Sequence, residues 1–105
     1  MGVQVDYSSV GDPAAMEALA AEFLLRAESI AGIAASLSRQ VDAMTFEGPA
    51  ARDLRDRTHA RRRQAERSAA RLQEAAHMLK RSAAAAREQI HELHLAQLRA
   101  QEQEP

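Results

Sequence analysis

The chain contains no cysteine and no tryptophan, and it has only four glycines and three prolines. The absence of cysteine excludes disulfide bonds, thiolate chemistry and zinc sites built from cysteine. No apolar run approaches the roughly 20 residues of a membrane-spanning helix, so stable membrane insertion is not expected. The first seven residues have neither a basic flank nor an apolar run, and they do not predict a cleavable signal peptide.

Glycine and proline mark the expected breaks in the structure. Asp12 before Pro13 predicts a helix start, because aspartate accepts from free amides of the first turn and proline suits the first helical position. Gly48 before Pro49 predicts a turn and a second start, and neither residue type recurs between positions 50 and 104. We therefore predict an all-α antiparallel hairpin. The chain divides into an extended or flexible arm (1–12), a helical hairpin (13–98) and a frayed tail (99–105). Within the hairpin, helices over about 13–44 and 50–98 are joined by a turn (45–49).

Apolar residues recur every seven positions along both predicted helices, as in helices that pack along a seam. Small residues, mostly alanine, alternate with the larger ones. The larger residues of the predicted hairpin seam are Met16, Phe23, Ile30, Leu37, Met44, Leu72 and Leu79. Folding the chain at the turn places Phe23 opposite Leu72, so that residues beyond about 83 have no partner on the first helix.

Further apolar residues lie outside this seam, and a lone hairpin cannot bury them all. They define a predicted partner interface, which consists of Leu19, Leu24, Leu25, Ile33, Ile90 and Leu93. We therefore expect dimerisation, most simply into a four-helix bundle.

Charge is unevenly distributed along the chain. Residues 52–71 carry eight arginines and three acids (+5), whereas residues 1–51 carry two bases and seven acids (−5). The basic segment has no aromatic residue to stack on bases, so we interpret it as a solvated helix face and expect no nucleic acid partner. Arg55 and Arg62 fall on the inner side of the second helix. Either their stems cover the alanine recess with their heads at its rim, or the helix departs from a strict heptad there.

Metal and catalytic chemistry have little support. Glu88, His91, Glu92 and His94 have helical spacing, but the first helix offers no histidine to complete a bundle metal site. We do not expect a serine, a histidine and an aspartate to be held together on a rigid scaffold. We therefore predict no catalytic residue, no metal, no cofactor and no enzymatic activity.

The predicted turn carries a family likeness. Phe46-Glu47-Gly48 stands at the midpoint of a hairpin of about a hundred residues, and Pro49-Ala50-Ala51 follows it. Over about residues 12–95 the chain resembles the WXG family, the small helical hairpins related to the early secreted antigens of mycobacteria. Phe46 stands where that family has tryptophan.

The resemblance implies a non-enzymatic protein that is made in the bacterial cytoplasm. It would pair with itself or with a paralogous hairpin and be exported folded by a type VII secretion system. In that family the turn of one subunit and a Tyr-x-x-x-Asp/Glu signal in its partner's tail are handled together by the secretion ATPase. The only tyrosine here is Tyr7, which favours a paralogous partner that supplies the signal.

Two other functions and two roles for Phe46 stay open at this point. The chain could be an arginine-rich nucleic-acid-binding regulator, or a chaperone-like partner of a larger type VII effector. Phe46 could cap the end of the seam beside Met44, or it could form part of a surface shared with a partner.

Overall fold

The computed structural model describes residues 11–103. Its two helices, α1 (Pro13–Asp42) and α2 (Pro49–Glu102), pack side by side as an antiparallel hairpin. The rod measures 88 × 14 × 14 Å, and the described residues form no strand. The prediction of an all-α hairpin with two long helices is thus confirmed. Residues 1–10 of the predicted arm lie outside the described residues.

Helix α1 begins at the expected signal and ends shortly before the predicted turn. The Asp12 side chain accepts hydrogen bonds from the amides of Ala14 and Ala15, at 3.1 and 3.3 Å, which satisfies donors that have no partner within the helix. The helix ends at Asp42, two residues before the predicted end, and the Ala43 amide donates to the Arg39 carbonyl at 3.0 Å.

Helix α2 starts at Pro49 and runs further than predicted. Gly48 precedes it with φ 113°, a backbone conformation that side chains other than glycine rarely adopt. The helix reaches Glu102, so residues 99–102, which we predicted as a frayed tail, are helical. The physical reason is local: nothing in this stretch interrupts the helix, and Ala, Gln, Glu and Arg all favour it.

Small side chains make up the buried contact between α1 and α2. The buried residues are Ala20, Ala27, Ser38, Ala51, Ala69, Ala76, Ala83 and Ala86. Ser38 is the largest side chain that is fully buried among the described residues. The predicted seam residues Met16, Phe23, Ile30, Met44, Leu72 and Leu79 are only partly buried. The hairpin therefore has an alanine seam and no interior of large side chains.

Leu37 does not lie in the buried seam as predicted, because 52% of its surface is exposed. The column of small residues on α1, which includes Ala20 and Ala27, lies where α1 and α2 approach each other most closely. Helices that meet over alanine come close together, and larger side chains in the neighbouring column are displaced to the flank of the contact.

The contact between the helices also extends further along α2 than predicted. Ala83 and Ala86 are buried, and Arg87 Nε donates to Glu17 Oε1 at 2.8 Å. Side chains lean toward the amino terminus of their own helix, so in an antiparallel pair they meet residues beyond the point directly opposite. The part of α2 without a partner on α1 therefore begins several residues later than position 83.

Two glycines provide a matched test of this backbone. Gly48→Ala should lower the free energy of unfolding by about 1 kcal/mol or more, because alanine is strained at φ 113°. Gly32→Ala should raise it by up to about 1 kcal/mol, because Gly32 is helical and a Cβ there meets nothing within 4 Å. Urea unfolding followed by circular dichroism, at one protein concentration, measures both. Shifts of the same sign would contradict the backbone assignment of one of these glycines.

Candidate interaction surface

An open apolar groove of about 500 Å³ lies between α1 and α2 on the turn side of the hairpin. We call it the turn-proximal groove. It is lined by Ile30, Ile33, Ala34, Leu37 and Val41 of α1 and by Leu54, Thr58, Arg61, Arg62 and Ala65 of α2. Spacings of three and four residues place each set on one side of its helix. Ile33, Leu37 and Leu54 are 61%, 52% and 41% exposed, so the groove presents large apolar side chains to solvent.

The α1 wall of this groove continues toward the open end of the hairpin. Leu19 and Phe23 precede Ile30 at helical spacing, and Leu19 is 40% exposed. From residue 19 to residue 37 the stripe covers about 27 Å of helix. We call the turn-proximal groove together with Leu19 and Phe23 the apolar face.

The predicted partner interface divides into separate places in the structure. Leu19 and Ile33 belong to the apolar face. Leu25 is 68% exposed, but its helical position turns it to the outer side of α1, away from the groove. Ile90 lies beside Pro13 in a shallow depression at the other end of the hairpin. Leu24 and Leu93 are half-buried and do not line the groove.

Arginine side chains border the α2 side of the groove. Arg62 lines it together with Ala34, while its Nε donates to Glu66 Oε1 at 3.0 Å. Arg62 thus lies on the groove side of α2, and its guanidinium is held by a carboxylate of its own helix. Arg61 is exposed and lines the same groove, so this wall carries positive charge.

Arg55 has a different role, at the turn. Its Nη2 donates to the carbonyl oxygens of Met44 and Phe46, at 2.9 and 3.1 Å. These bonds tie the chain after α1 to the second turn of α2. Phe46 is 47% exposed, and Glu47 beside it is also exposed. The turn is therefore fixed by its backbone, while the aromatic ring stays available at the surface.

Ser38, His59 and Asp42 form a chain of hydrogen bonds that the sequence analysis did not predict. Ser38 Oγ lies 3.1 Å from His59 Nδ1, and His59 Nε2 lies 2.9 Å from Asp42 Oδ1. Because the carboxylate only accepts, Nε2 carries the proton, and in the neutral ring Nδ1 accepts from the serine hydroxyl. Ser38 and Asp42 are one helical turn apart, so a single imidazole from α2 reaches both.

In a catalytic triad histidine also links serine and a carboxylate, but there Nε2 faces the serine and Nδ1 faces the carboxylate. Here the two ring nitrogens have the opposite partners. Ser38 is also 0% exposed, so a substrate cannot reach its oxygen in this conformation. What the geometry supports is a polar link between α1 and α2 close to the turn.

Glu88, His91, Glu92 and His94 are exposed on α2. Among the described residues, no three histidine or carboxylate side chains come together as a metal site.

No protein-family model, curated protein or solved structure matches this chain. Within residues 11–103, neither helix has an apolar stretch long enough to cross a membrane.

Proposed function

We propose that the chain is a WXG-type pairing module: a hairpin that binds another hairpin through its apolar face and is exported folded by a type VII secretion system. The observation that carries this proposal is the alanine seam. A two-helix rod whose largest fully buried side chain is Ser38 leaves its large apolar residues for another surface. An interaction protein needs such a surface.

The energetics favour pairing over an isolated rod. Each buried Å² of apolar surface contributes about 25 cal/mol, and the alanine seam offers little of it. Ile33, Leu37 and Leu54 could each lose more than a third of their surface to a partner. Small domains with little interior commonly obtain stability through oligomerisation. Pairing would thus stabilise the fold and create the binding specificity in one step.

The turn supplies the second part of the proposal. Phe46 is half exposed while Arg55 holds the carbonyl groups on either side of Thr45. A fixed loop with an accessible aromatic side chain suits recognition by the secretion ATPase together with a partner's tail. On this proposal the chain is made in the cytoplasm and acts as a secreted protein without enzymatic activity.

The test replaces Phe46 with alanine in the native host and measures the protein in cells and in medium. We expect an unchanged dimer and lost export, because Phe46 is 47% exposed and Arg55 holds the turn through backbone carbonyl groups. Thr45→Ala, an exposed neighbour in the same turn, is the matched control and should be exported normally. Export of the Phe46 variant at the normal level, or retention of the unaltered chain in cells with an active secretion ATPase, would refute the proposal.

A nucleic-acid-binding function has less support than pairing, because several arginines of residues 52–71 are engaged within the protein. Arg55 is engaged with the turn, Arg57 pairs with Asp53 at 3.1 Å, and Arg62 pairs with Glu66. Arginines engaged within the protein are less available to phosphates.

A further inference from the structure

We propose that residues 1–10 bind along the part of α2 that extends past the start of α1, and so close the open end of the hairpin. The proposal does not depend on pairing or export, because it concerns two segments of one chain. Three observations support it: a line of partly buried residues on α2, the position at which α1 starts, and the length and residue pattern of the segment.

The line of the alanine seam continues along α2 past the start of α1. Ala83 and Ala86 are buried, and the residues that follow them on the same side of the helix are half-buried. These are Ile90, Leu93, Gln97 and Ala100, at spacings of three and four residues. Every other residue from 87 to 100 is exposed. We call the four half-buried residues the overhang stripe.

Helix α1 is too short to cover all of the overhang stripe. It begins at Pro13, which lies beside Ile90 in the shallow depression at this end of the hairpin. From Ile90, α2 continues to Glu102, over about 18 Å of helix. Gln97 and Ala100 lie on this part. Because their neighbours are exposed, their half-burial indicates a further segment along one side of α2.

The segment that precedes Gly11 is close enough and long enough to provide this cover. Gly11 lies two positions before Pro13, so residues 1–10 join the hairpin beside the overhang stripe. Ten residues can extend about 33 Å. The stripe from Ile90 to Ala100 measures about 15 Å of helix. The turn lies at the opposite end of the 88 Å rod and cannot reach it.

The residue pattern of this segment suits a surface with one apolar side. Val3, Val5 and Tyr7 alternate with Gln4 and Asp6. In an extended backbone, alternate side chains point to the same side, so an extended segment would direct all three apolar residues toward the overhang stripe. The two polar residues would then face solvent.

Tyr7 provides a direct probe, because it is the only tyrosine and the chain has no tryptophan. Quenching of its fluorescence by acrylamide measures how far the ring is shielded. Leu93→Gln places an amide in the overhang stripe, whereas Leu95→Gln makes the same change on another side of α2, where Leu95 is 36% exposed. Burial of one leucine changes the ratio of bound to unbound segment roughly tenfold.

We therefore expect Leu93→Gln to raise the quenching of Tyr7 toward its value in the urea-unfolded chain. Leu95→Gln should leave it at the value of the unaltered chain. Equal effects of the two substitutions would overturn the proposal. So would a Tyr7 that is quenched as strongly in the unaltered folded chain as in urea.

The same contact should be detectable from α2. The double variant Val5→Ser, Tyr7→Ser changes the apolar side of the segment, and Gln4→Ser, Asp6→Ser changes its polar side at the same number of positions. Amide hydrogen exchange over residues 97–102 should become faster in the first variant only, because a helix end opens more often when nothing is packed on it. Equal exchange in both variants would overturn the proposal. This readout leaves the sequence of α2 unaltered.

Dilution separates a segment of the same chain from a second copy as the cover of the overhang stripe. Binding within one chain gives the same Tyr7 quenching at every protein concentration, whereas a cover supplied by another molecule is lost on dilution. Quenching that rises on dilution would overturn the proposal. A chain that neither pairs nor is exported would refute the proposed function and leave these expected results unchanged.

Discussion

Replacing Ala76 with leucine is expected to lower the free energy of unfolding by about 3 kcal/mol. Ala76 is 0% exposed, and the alanines Ala20 and Ala27 of α1 are buried in the same seam. Helices that meet over such small side chains have no space for three additional carbon atoms. The leucine must either leave its preferred rotamer or push α1 away from α2. Urea unfolding at a fixed protein concentration measures the loss.

The matched control is Ala70→Leu, which makes the same change at an exposed position of α2. Leucine is nearly as good a helix former as alanine, so this variant should unfold within about 0.5 kcal/mol of the unaltered chain. A similar loss at both positions would mean that the close approach of the helices is not what stabilises the hairpin. A large loss at Ala76 alone would establish the alanine seam.

Periodicity was sufficient to predict the hairpin but not the centre of its contact. Seven-residue spacing identifies two neighbouring columns on α1, one of large residues through Leu37 and one of small residues through Ala27. Either column could lie nearest to α2. The structure puts Ala27 inside and leaves Leu37 half exposed. Which column is innermost depends on how closely the two backbones can approach, and this is a property of both helices together.

The polar contacts were harder to predict because they depend on side-chain direction. Folding at the turn places Ser38 opposite residue 57, yet its partner is His59, since side chains of antiparallel helices lean in opposite directions. Arg55 was predicted near the inner column, whereas it reaches back to the carbonyl of Met44. The carbonyl groups that follow α1 have no partner within the helix and need a donor from elsewhere. Which carbonyl groups these are depends on where α1 ends, and residue spacing does not reveal that.

Replacing His59 with leucine is expected to lower the free energy of unfolding by about 2 kcal/mol, because it leaves the hydroxyl of Ser38 buried without its partner. Leucine is chosen because it fills much of the space of the ring and keeps water away from Ser38. Asp42 also loses a donor, but its side chain is 51% exposed, so water replaces the imidazole at little cost.

The reverse substitution should be much milder, and this difference tests the polar link. Ser38→Ala removes the buried hydroxyl itself, His59 keeps its bond to Asp42, and the expected loss is under about 1 kcal/mol. The double variant Ser38→Ala, His59→Leu should then be more stable than His59→Leu alone, because no buried polar group lacks a partner. If His59→Leu instead costs no more than Ser38→Ala, the serine has found an acceptor on its own helix, such as the carbonyl one turn earlier. The histidine would in that case contribute no stabilising link between α1 and α2.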